Sequence, residues 1–197
     1  MRRTRKQRQF VVADAELLNC LRSSPEDLTA ARQIKRKDRE TVGRVLSSNE
    51  LSKIALEEKK QGHKVVSTNG CFDILHVGHA RILKEARQLG DCLFVGLNSD
   101  ASVKRLKGES RPINNQEDRA ELLSHLKSVD YVYIFDEDTP VEFLKMVQPN
   151  VHVKGADYSK ERLEETPVVE SFGGEVVLLA LVPAKSTTSL VDKIKQN

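Results

Sequence analysis

Cysteines and long apolar runs are both scarce in this sequence of 197 residues, and each shortage excludes a class of protein. The three cysteines, Cys20, Cys71 and Cys92, are odd in number and form no CxxC pair. Neither a disulfide framework nor a zinc knuckle is therefore indicated, and we predict free thiols. The longest strongly apolar stretch, 176–184, is about half of what a bilayer-spanning helix needs. No charged-then-apolar leader opens the sequence, so we expect no membrane partner and a cytoplasmic location.

Basic charge is concentrated in the first part of the chain. Residues 1–45 contain 12 Lys/Arg and 6 Asp/Glu, a net charge of +6, whereas the other 20 basic and 23 acidic residues leave 46–197 at −3. We interpret 1–45 as a solvated, partly disordered extension. The alternative is that it binds a nucleic acid or another acidic partner, since basic clusters attract phosphates without needing a fold. No aromatic residues are interleaved with the basic ones, so no nucleic-acid partner is predicted.

Residues 46–197 alternate strand and helix patterns, and this length suits one ordinary α/β domain. A capping box at 47–50 predicts a helix that Gly62 ends. Strands are predicted at 64–68, 92–98, 131–135, 151–154 and 175–182. Further helices are predicted at 78–89, after a cap at Asn114, after a cap at Thr139 and ending before Pro149, and at 186–194. A loop is predicted at 105–112 and a helical or irregular segment at 160–172. This alternation predicts a Rossmann-like parallel sheet of about five strands with helices on both faces.

The densest cluster of unusual residues, 68–79, follows the first predicted strand. Ligands of parallel α/β sheets bind beyond the carboxyl ends of the strands, which is where this cluster falls. His76 and His79 are three residues apart, so on a first helical turn both imidazoles project from one side. Gly78 leaves room for a close ligand, and the helix N-terminus attracts phosphate oxygens. The arrangement suits phosphoryl-type transfer, in which the protein positions groups and neutralises developing charge.

Two other interpretations of the histidines remain open at this point. As zinc ligands they would need one or two more protein donors, and only Cys71 or Asp73 lies nearby in sequence. As structural residues they would simply flank a glycine at a strand-to-helix turn.

Residues 70–79 resemble the GxFDxxHxGH signature of the cytidylyltransferase-like nucleotidyltransferase superfamily. Over 47–197 the chain is similar, more specifically, to the adenylyltransferases that join ATP to D-glycero-β-D-manno-heptose 1-phosphate, giving ADP-heptose for lipopolysaccharide. The matching segments are 98–103, 105–108, 111–114, 136–140, 153–158 and 186–188. The alternatives are a cytidylyltransferase acting on glycerol 3-phosphate or another small phosphate and, from a different class, a non-catalytic nucleotide sensor or an adaptor that uses the basic extension.

The resemblance implies roles for particular residues. The catalytic set is His76, His79 and Lys107, with Lys107 closing over the phosphates from a mobile loop. The nucleotide-binding set is Asn69, Gly70, Cys71, Phe72, Asp73, Gly78, Gly155, Asp157, Tyr158, Ser186, Thr187 and Thr188. The substrate-binding set is Asn98, Asp100, Arg111 and Arg119.

Several of these residues also have a purely structural interpretation. Lys107 and Arg119 could be solvent-facing, and 154–158 could be a tight turn. Asp100, like the hydroxyls of 186–188, could cap the following helix. Ala156 and the pair at 184–185 depart from the usual family pattern. Ala156 adds a methyl group close to the ligand-facing loop, which puts contacts to the base or the heptose in doubt.

The resemblance also implies partners and a cofactor. ATP with Mg²⁺ and a sugar 1-phosphate are the expected ligands, with no metal held by the protein alone. Relatives suggest a homodimer. In many relatives a ribokinase-like sugar kinase precedes this domain. This sequence has no room for one, so a separate heptose kinase is expected.

Overall fold

The computed structural model describes residues 42–155 and 163–180, together with 187, 191, 193 and 194. The chain divides into one unit that ends at Thr41 and a second that starts at Val42, and only the second is described below. Its strands are β1 (Arg44–Leu46), β2 (Val65–Gly70), β3 (Cys92–Asn98), β4 (Tyr131–Phe135), β5 (Val151–Gly155) and β6 (Glu175–Leu179). Its helices are α1 (Ser48–Lys60), α2 (Val77–Gln88), α3 (Asp100–Lys107), α4 (Gln116–Ser124), α5 (Val141–Val147) and α6 (Glu165–Ser171).

The strands form one parallel sheet in the order β1-β4-β3-β2-β5-β6. The predicted Rossmann-like α/β class is thus confirmed, with a sixth strand added at one edge. Strand β1 pairs with β4 in the register Arg44↔Tyr131. The sequence pattern assigns Arg44 and Val45 to the N-terminal extension, because the three residues of β1 are too few to show a periodic pattern. The predicted final helix at 186–194 lies mostly outside the described residues.

The order of the strands creates a crevice at the centre of the sheet. From β2 the chain moves to β3 and β4 on one side and then returns to β5 on the other, so β2 and β5 are neighbours, with Thr68 opposite Val153. Connections leave the carboxyl ends of these two strands in opposite directions. Such a switch point is the usual ligand site of an open parallel sheet.

Apolar side chains cover both faces of the sheet. One core packs α1, α5 and α6 against the sheet and includes Leu51, Phe143 and Val169. The other packs α2 and α4 against the opposite face and includes Leu83 and Leu123. Every residue of β3 is buried, as expected for a central strand covered on both sides.

At the ends of the helices, one prediction is confirmed at α1 and two are corrected at α3. The carboxylate of Glu50 accepts a hydrogen bond from the Ser47 backbone N–H at 3.0 Å, as the capping box predicts, and a second one from the Ser47 hydroxyl at 2.7 Å. The predicted loop at 105–112 is wrong at its start, because α3 continues to Lys107 and ends where Gly108 takes φ 95°. Its cap is the Ser99 hydroxyl, so the alternative in which Asp100 caps this helix is also wrong.

Helices α4 and α5 both begin one residue later than predicted. Asn115 caps α4, and its side chain accepts from the Asp118 N–H at 2.8 Å. Asn114 is unavailable as a cap because its side chain donates to the Asp73 carbonyl oxygen at 2.8 Å. Helix α5 follows Pro140 with no side-chain cap hydrogen bond, so the predicted cap at Thr139 is absent.

The face covered by α6 also contains a buried polar pair. Ser67 on β2 and His152 on β5 are register partners, and the Ser67 hydroxyl lies 2.8 Å from His152 Nδ1. His152 has no exposed surface. Burial, together with the nearby positive charge of Lys154, lowers its pKa to about 3. The ring is therefore neutral in the folded protein at neutral pH.

This pair makes stability depend on pH. An unfolded chain protonates His152 near pH 6.5, whereas the folded chain does so near pH 3, so protons favour unfolding between these values. The contribution of the neutral His152 to the free energy of unfolding is fully present above pH 6.5 and is lost as the pH falls toward 3. We expect this residue to remove about 2 kcal/mol of unfolding free energy between pH 7 and pH 5.

Urea unfolding at both pH values measures the effect. The variant His152→Leu should lose less stability between pH 7 and pH 5 than the wild-type protein. His125→Leu, at an exposed histidine, should behave like wild type. Equal losses in His152→Leu and wild type would contradict the prediction.

Candidate active site

The segment between β2 and α2 turns sharply at Phe72. Its φ of 44° lies in the left-handed region, which a bulky residue enters only at a cost of about 1–3 kcal/mol. Phe72 is 8% exposed as a residue and belongs to the core beneath α2. It also meets the His79 ring edge-on, with ring centroids 5.1 Å apart. The strained turn therefore places an apolar support under one of the two predicted catalytic histidines.

His76 is the N-cap of α2. Its Nδ1 accepts a hydrogen bond from the Gly78 backbone N–H at 3.1 Å. In a neutral ring the proton then resides on Nε2, which makes Nε2 a hydrogen-bond donor. The ring stacks on His79 with centroids 3.9 Å apart and an angle of 21° between the planes. The structure thus brings the two predicted histidines together at the helix N-terminus.

His79 is held as a neutral imidazole. Burial and, to a smaller extent, the neighbouring His76 lower its pKa to about 4. Its Nδ1 is buried and has no hydrogen-bond partner among the described residues. A buried polar atom without a partner is costly, and such atoms are common at ligand sites. A phosphate bound beside this ring would raise its pKa by favouring the charged form.

Fixed positive charge surrounds the same segment. Burial raises the pKa of the Cys71 thiol, so it remains protonated and is a poor nucleophile. Three cations, Lys107, Arg119 and Arg111, oppose this rise in the pKa, and the Asp73 carboxylate adds to it. The strand-to-helix segment therefore lies in the field of charges from three other parts of the chain.

Asp73 ties the segment to the stretch before α4. Its Oδ2 lies 2.6 Å from Arg111 Nε, and its Oδ1 accepts from the backbone N–H groups of Ile113 at 2.7 Å and Asn114 at 3.1 Å. The Asp73 side chain is 2% exposed and that of Arg111 18%. The carboxylate is thus engaged with the chain itself. Nucleotide binding by Asp73 and substrate binding by Arg111 remain predictions.

Arg119 is a fully buried connector beneath the site, with no exposed surface. Its guanidinium donates to the carbonyl oxygens of Cys71 at 2.5 Å, Asn98 at 2.9 Å and Asn114 at 3.0 Å. It also pairs with Asp100 Oδ1 at 2.7 Å. The solvent-facing alternative is wrong. One side chain joins the segments after β2 and β3 to the start of α4.

The remaining predicted residues are distributed around this centre. Asn98 is buried and donates from Nδ2 to the Ser102 hydroxyl at 3.0 Å. Lys107 is exposed and ends α3 rather than lying within a loop. Gly155 ends β5, and the Thr187 hydroxyl donates to the Ile74 carbonyl at 3.4 Å. The other predicted positions, Asp157, Tyr158, Ser186 and Thr188, lie outside the described residues.

An ion pair at the mouth of the crevice was missed by sequence reasoning. Lys154 Nζ lies 2.9 Å from Glu165 Oε1 and 3.1 Å from Asn69 Oδ1. The only sequence signal was a lysine at the end of the predicted strand 151–154. Its partner, Glu165, comes from another element eleven positions later.

Within the described ranges, no three His, Cys, Asp or Glu side chains are grouped as a metal site would require. The zinc interpretation of the histidines therefore has no third donor in this part of the chain. The same ranges contain no helix of the length and apolarity needed to span a membrane. Neither Cys71 nor Cys92 forms a disulfide with another described residue.

Comparisons with known proteins give one family. The sequence model of the cytidylyltransferase-like family matches residues 67–189. Among curated relatives, bifunctional protein HldE of Wolinella succinogenes is 51% identical over 156 residues, which are 79% of this chain and 32% of that protein. Bifunctional protein HldE of Pelobacter propionicus is 42% identical over 183 residues, which are 93% of this chain and 35% of that protein. The chain thus spans about a third of the length of these relatives.

A solved structure resembles the same region. The lipopolysaccharide core biosynthesis protein from Thermoplasma volcanium aligns with a TM-score of 0.52 and 31% identity. The alignment covers 63% of this chain and 100% of that one.

Proposed function

Because this chain belongs to the cytidylyltransferase-like family of nucleotidyltransferases, we propose that it transfers AMP from ATP to D-glycero-β-D-manno-heptose 1-phosphate. The products are ADP-heptose and pyrophosphate. The observation that carries the proposal is the stacked pair His76 and His79 at the switch point of the sheet, within the field of three cations. The similarity to HldE proteins and to a lipopolysaccharide core biosynthesis protein supports heptose as the sugar.

The reaction needs no covalent intermediate. A phosphate oxygen of the sugar 1-phosphate attacks the α-phosphorus of ATP, and the bond from that phosphorus to the oxygen bridging to the β-phosphate breaks. Negative charge increases on the departing pyrophosphate. The imidazole N–H groups of His76 and His79 donate to phosphate oxygens, and Lys107 at the end of α3 adds positive charge. Donors held in place before the reaction stabilise the transition state without reorganising.

Magnesium enters this proposal bound to ATP. Mg²⁺ keeps most of its water and binds substrate phosphates with one or two carboxylates rather than an all-protein cage. The described residues fit this behaviour. Asp73 in the strand-to-helix segment and Asp100 at the start of α3 are each paired with an arginine and form no protein cage, so the triphosphate would supply most of the ligands of the ion. When bound, the ion shields the charge of the leaving pyrophosphate.

We propose that this ATP-consuming reaction takes place in the cytoplasm. The homodimer suggested by relatives remains a prediction.

A substrate panel tests the proposal. Pyrophosphate release is measured with ATP or CTP against heptose 1-phosphate anomers, hexose 1-phosphates and glycerol 3-phosphate. We expect ATP with D-glycero-β-D-manno-heptose 1-phosphate to give the highest kcat/KM by at least about tenfold, the effect of one additional good contact. Preference for CTP with glycerol 3-phosphate would identify the alternative cytidylyltransferase. No turnover with any pair would contradict an enzymatic function and favour a nucleotide sensor.

A further inference from the structure

Polar side chains form a ladder along β2 and β5 on the face covered by α6. Ser67 and His152 are register partners in the buried part of this ladder. Side chains alternate between faces along a strand, so the next pair on the same face is Asn69 with Lys154. Lys154 Nζ indeed lies 3.1 Å from Asn69 Oδ1. This second pair stands at the carboxyl ends of both strands, at the crevice.

Glu165 fixes the position of Lys154. The two charged groups are 2.9 Å apart, and their side chains are only 10% and 9% exposed. Removing a lysine from water is costly unless a counter-ion compensates it, so the ammonium group stays where the carboxylate is. Glu165 is the first residue of α6 and therefore belongs to a regular element. The lysine is held from one side and contacts Asn69 on the other.

The contact determines which way the Asn69 amide faces. An ammonium group only donates hydrogen bonds, so only the carbonyl oxygen of the amide can face it. The NH₂ group of the amide must then point away from Lys154. Asn69 is partly exposed, and no described residue accepts a hydrogen bond from its Nδ2.

We infer that Lys154, held by Glu165, is a positioning residue that orients the Asn69 amide so that its NH₂ group donates to a substrate oxygen in the crevice between β2 and β5. Phosphate and hydroxyl oxygens are acceptors that match such a donor. The inference rests on the proposed function and deepens it, since it assigns Asn69 the role of a hydrogen-bond donor to the substrate. Lys154 is not a catalytic residue in this inference, because it acts through Asn69.

Asn69→Asp tests whether the NH₂ group of Asn69 contributes to binding. An aspartate accepts the Lys154 hydrogen bond at least as well, so the ion pair and the fold are kept while the NH₂ donors are lost. The inference predicts that the loss of the NH₂ donors and the added negative charge weaken binding by at least about tenfold, with the urea midpoint unchanged or raised. Calorimetry with ATP and Mg²⁺ gives one dissociation constant, and the KM for the sugar phosphate shows whether the affected oxygen belongs to the second substrate.

A double-mutant cycle provides the second test. Lys154→Met should weaken the same substrate by about tenfold in the wild-type background but by less than about twofold in the Asn69→Ala background, because no amide is left to orient. Lys145→Met breaks an exposed Lys–Glu pair on α5 and serves as the matched control, with no expected change.

Two results would overturn the inference: full substrate affinity in Asn69→Asp, or equal effects of Lys154→Met in both backgrounds. If Lys154→Met fails to fold, full affinity in Asn69→Asp still overturns the inference, since this variant keeps the ion pair between Lys154 and Glu165 intact. Failure of the proposed function can be told apart from failure of this inference. A wild-type protein that binds ATP, loses that affinity in Asn69→Asp and yet forms no sugar nucleotide would refute the function and leave the positioning role in place.

Discussion

His76→Ala and His79→Ala are each expected to lower kcat by about 10²–10³-fold, the usual effect of removing one transition-state donor. The two rings stack at 3.9 Å at the start of α2, where the helix dipole also favours negative charge. Each alanine variant removes an N–H group from the phosphates while the surrounding cations remain. The measurement is steady-state pyrophosphate release at saturating ATP and sugar phosphate.

The His76 result needs a control for helix capping, because Nδ1 of this ring also binds the Gly78 N–H. Asparagine is an effective N-cap, so His76→Asn should restore the stability of α2 but not the rate. His125→Ala, at an exposed histidine outside the site, should keep the wild-type rate. Near-normal turnover in both His76→Ala and His79→Ala, or full recovery in His76→Asn, would remove the proposed roles.

Arg119→Met is expected to lower the free energy of unfolding by about 3–5 kcal/mol, the usual result of removing one partner from a buried charged network. The substitution leaves three carbonyl oxygens without their donor, those of Cys71, Asn98 and Asn114. It also leaves the Asp100 carboxylate without its counter-ion. Urea unfolding measures the loss. Because Arg119 joins the segments that carry the site, kcat/KM should fall as well under conditions where the variant is folded.

Arg105→Met is the matched control for this prediction. Arg105 pairs with Asp138 on the surface, with side chains 46% and 53% exposed, so its removal should lower the free energy of unfolding far less than Arg119→Met does. Arg119→Lys should recover only part of the loss, since an ammonium group cannot reproduce the planar fork that reaches several acceptors. A loss below about 1 kcal/mol in Arg119→Met would show that the network contributes little.

The fold could be predicted where a local pattern was long enough to be periodic. The strands β3 and β4 have the predicted bounds, because each is a continuous apolar run between polar segments. The helix α3 was missed in part because only Ser102 and Val103 of its eight residues are buried. A helix with so little buried surface leaves a weak apolar period in the sequence. The edge strand β1 was missed because its three residues obtain their structure from pairing with β4.

The candidate site likewise contains residues that could be predicted from local spacing and residues that could not. His76, Gly78 and His79 lie within one helical turn, so their spacing alone brings them together. The roles of Arg119 and Lys154 depend on partners 48 and 85 positions away, Cys71 and Asn69. No local pattern encodes such distances.

By itself the sequence determined the alternation of strands and helices, the resulting α/β class and the two histidines after the first predicted strand, because each of these follows from neighbours within one turn or one strand. Only the tertiary structure decided that Arg119 is buried as a connector, that Asp73 is engaged with Arg111, and that a lysine from β5 faces Asn69. These facts depend on which strands become neighbours, and the order of the sheet is set by the packing of the whole domain.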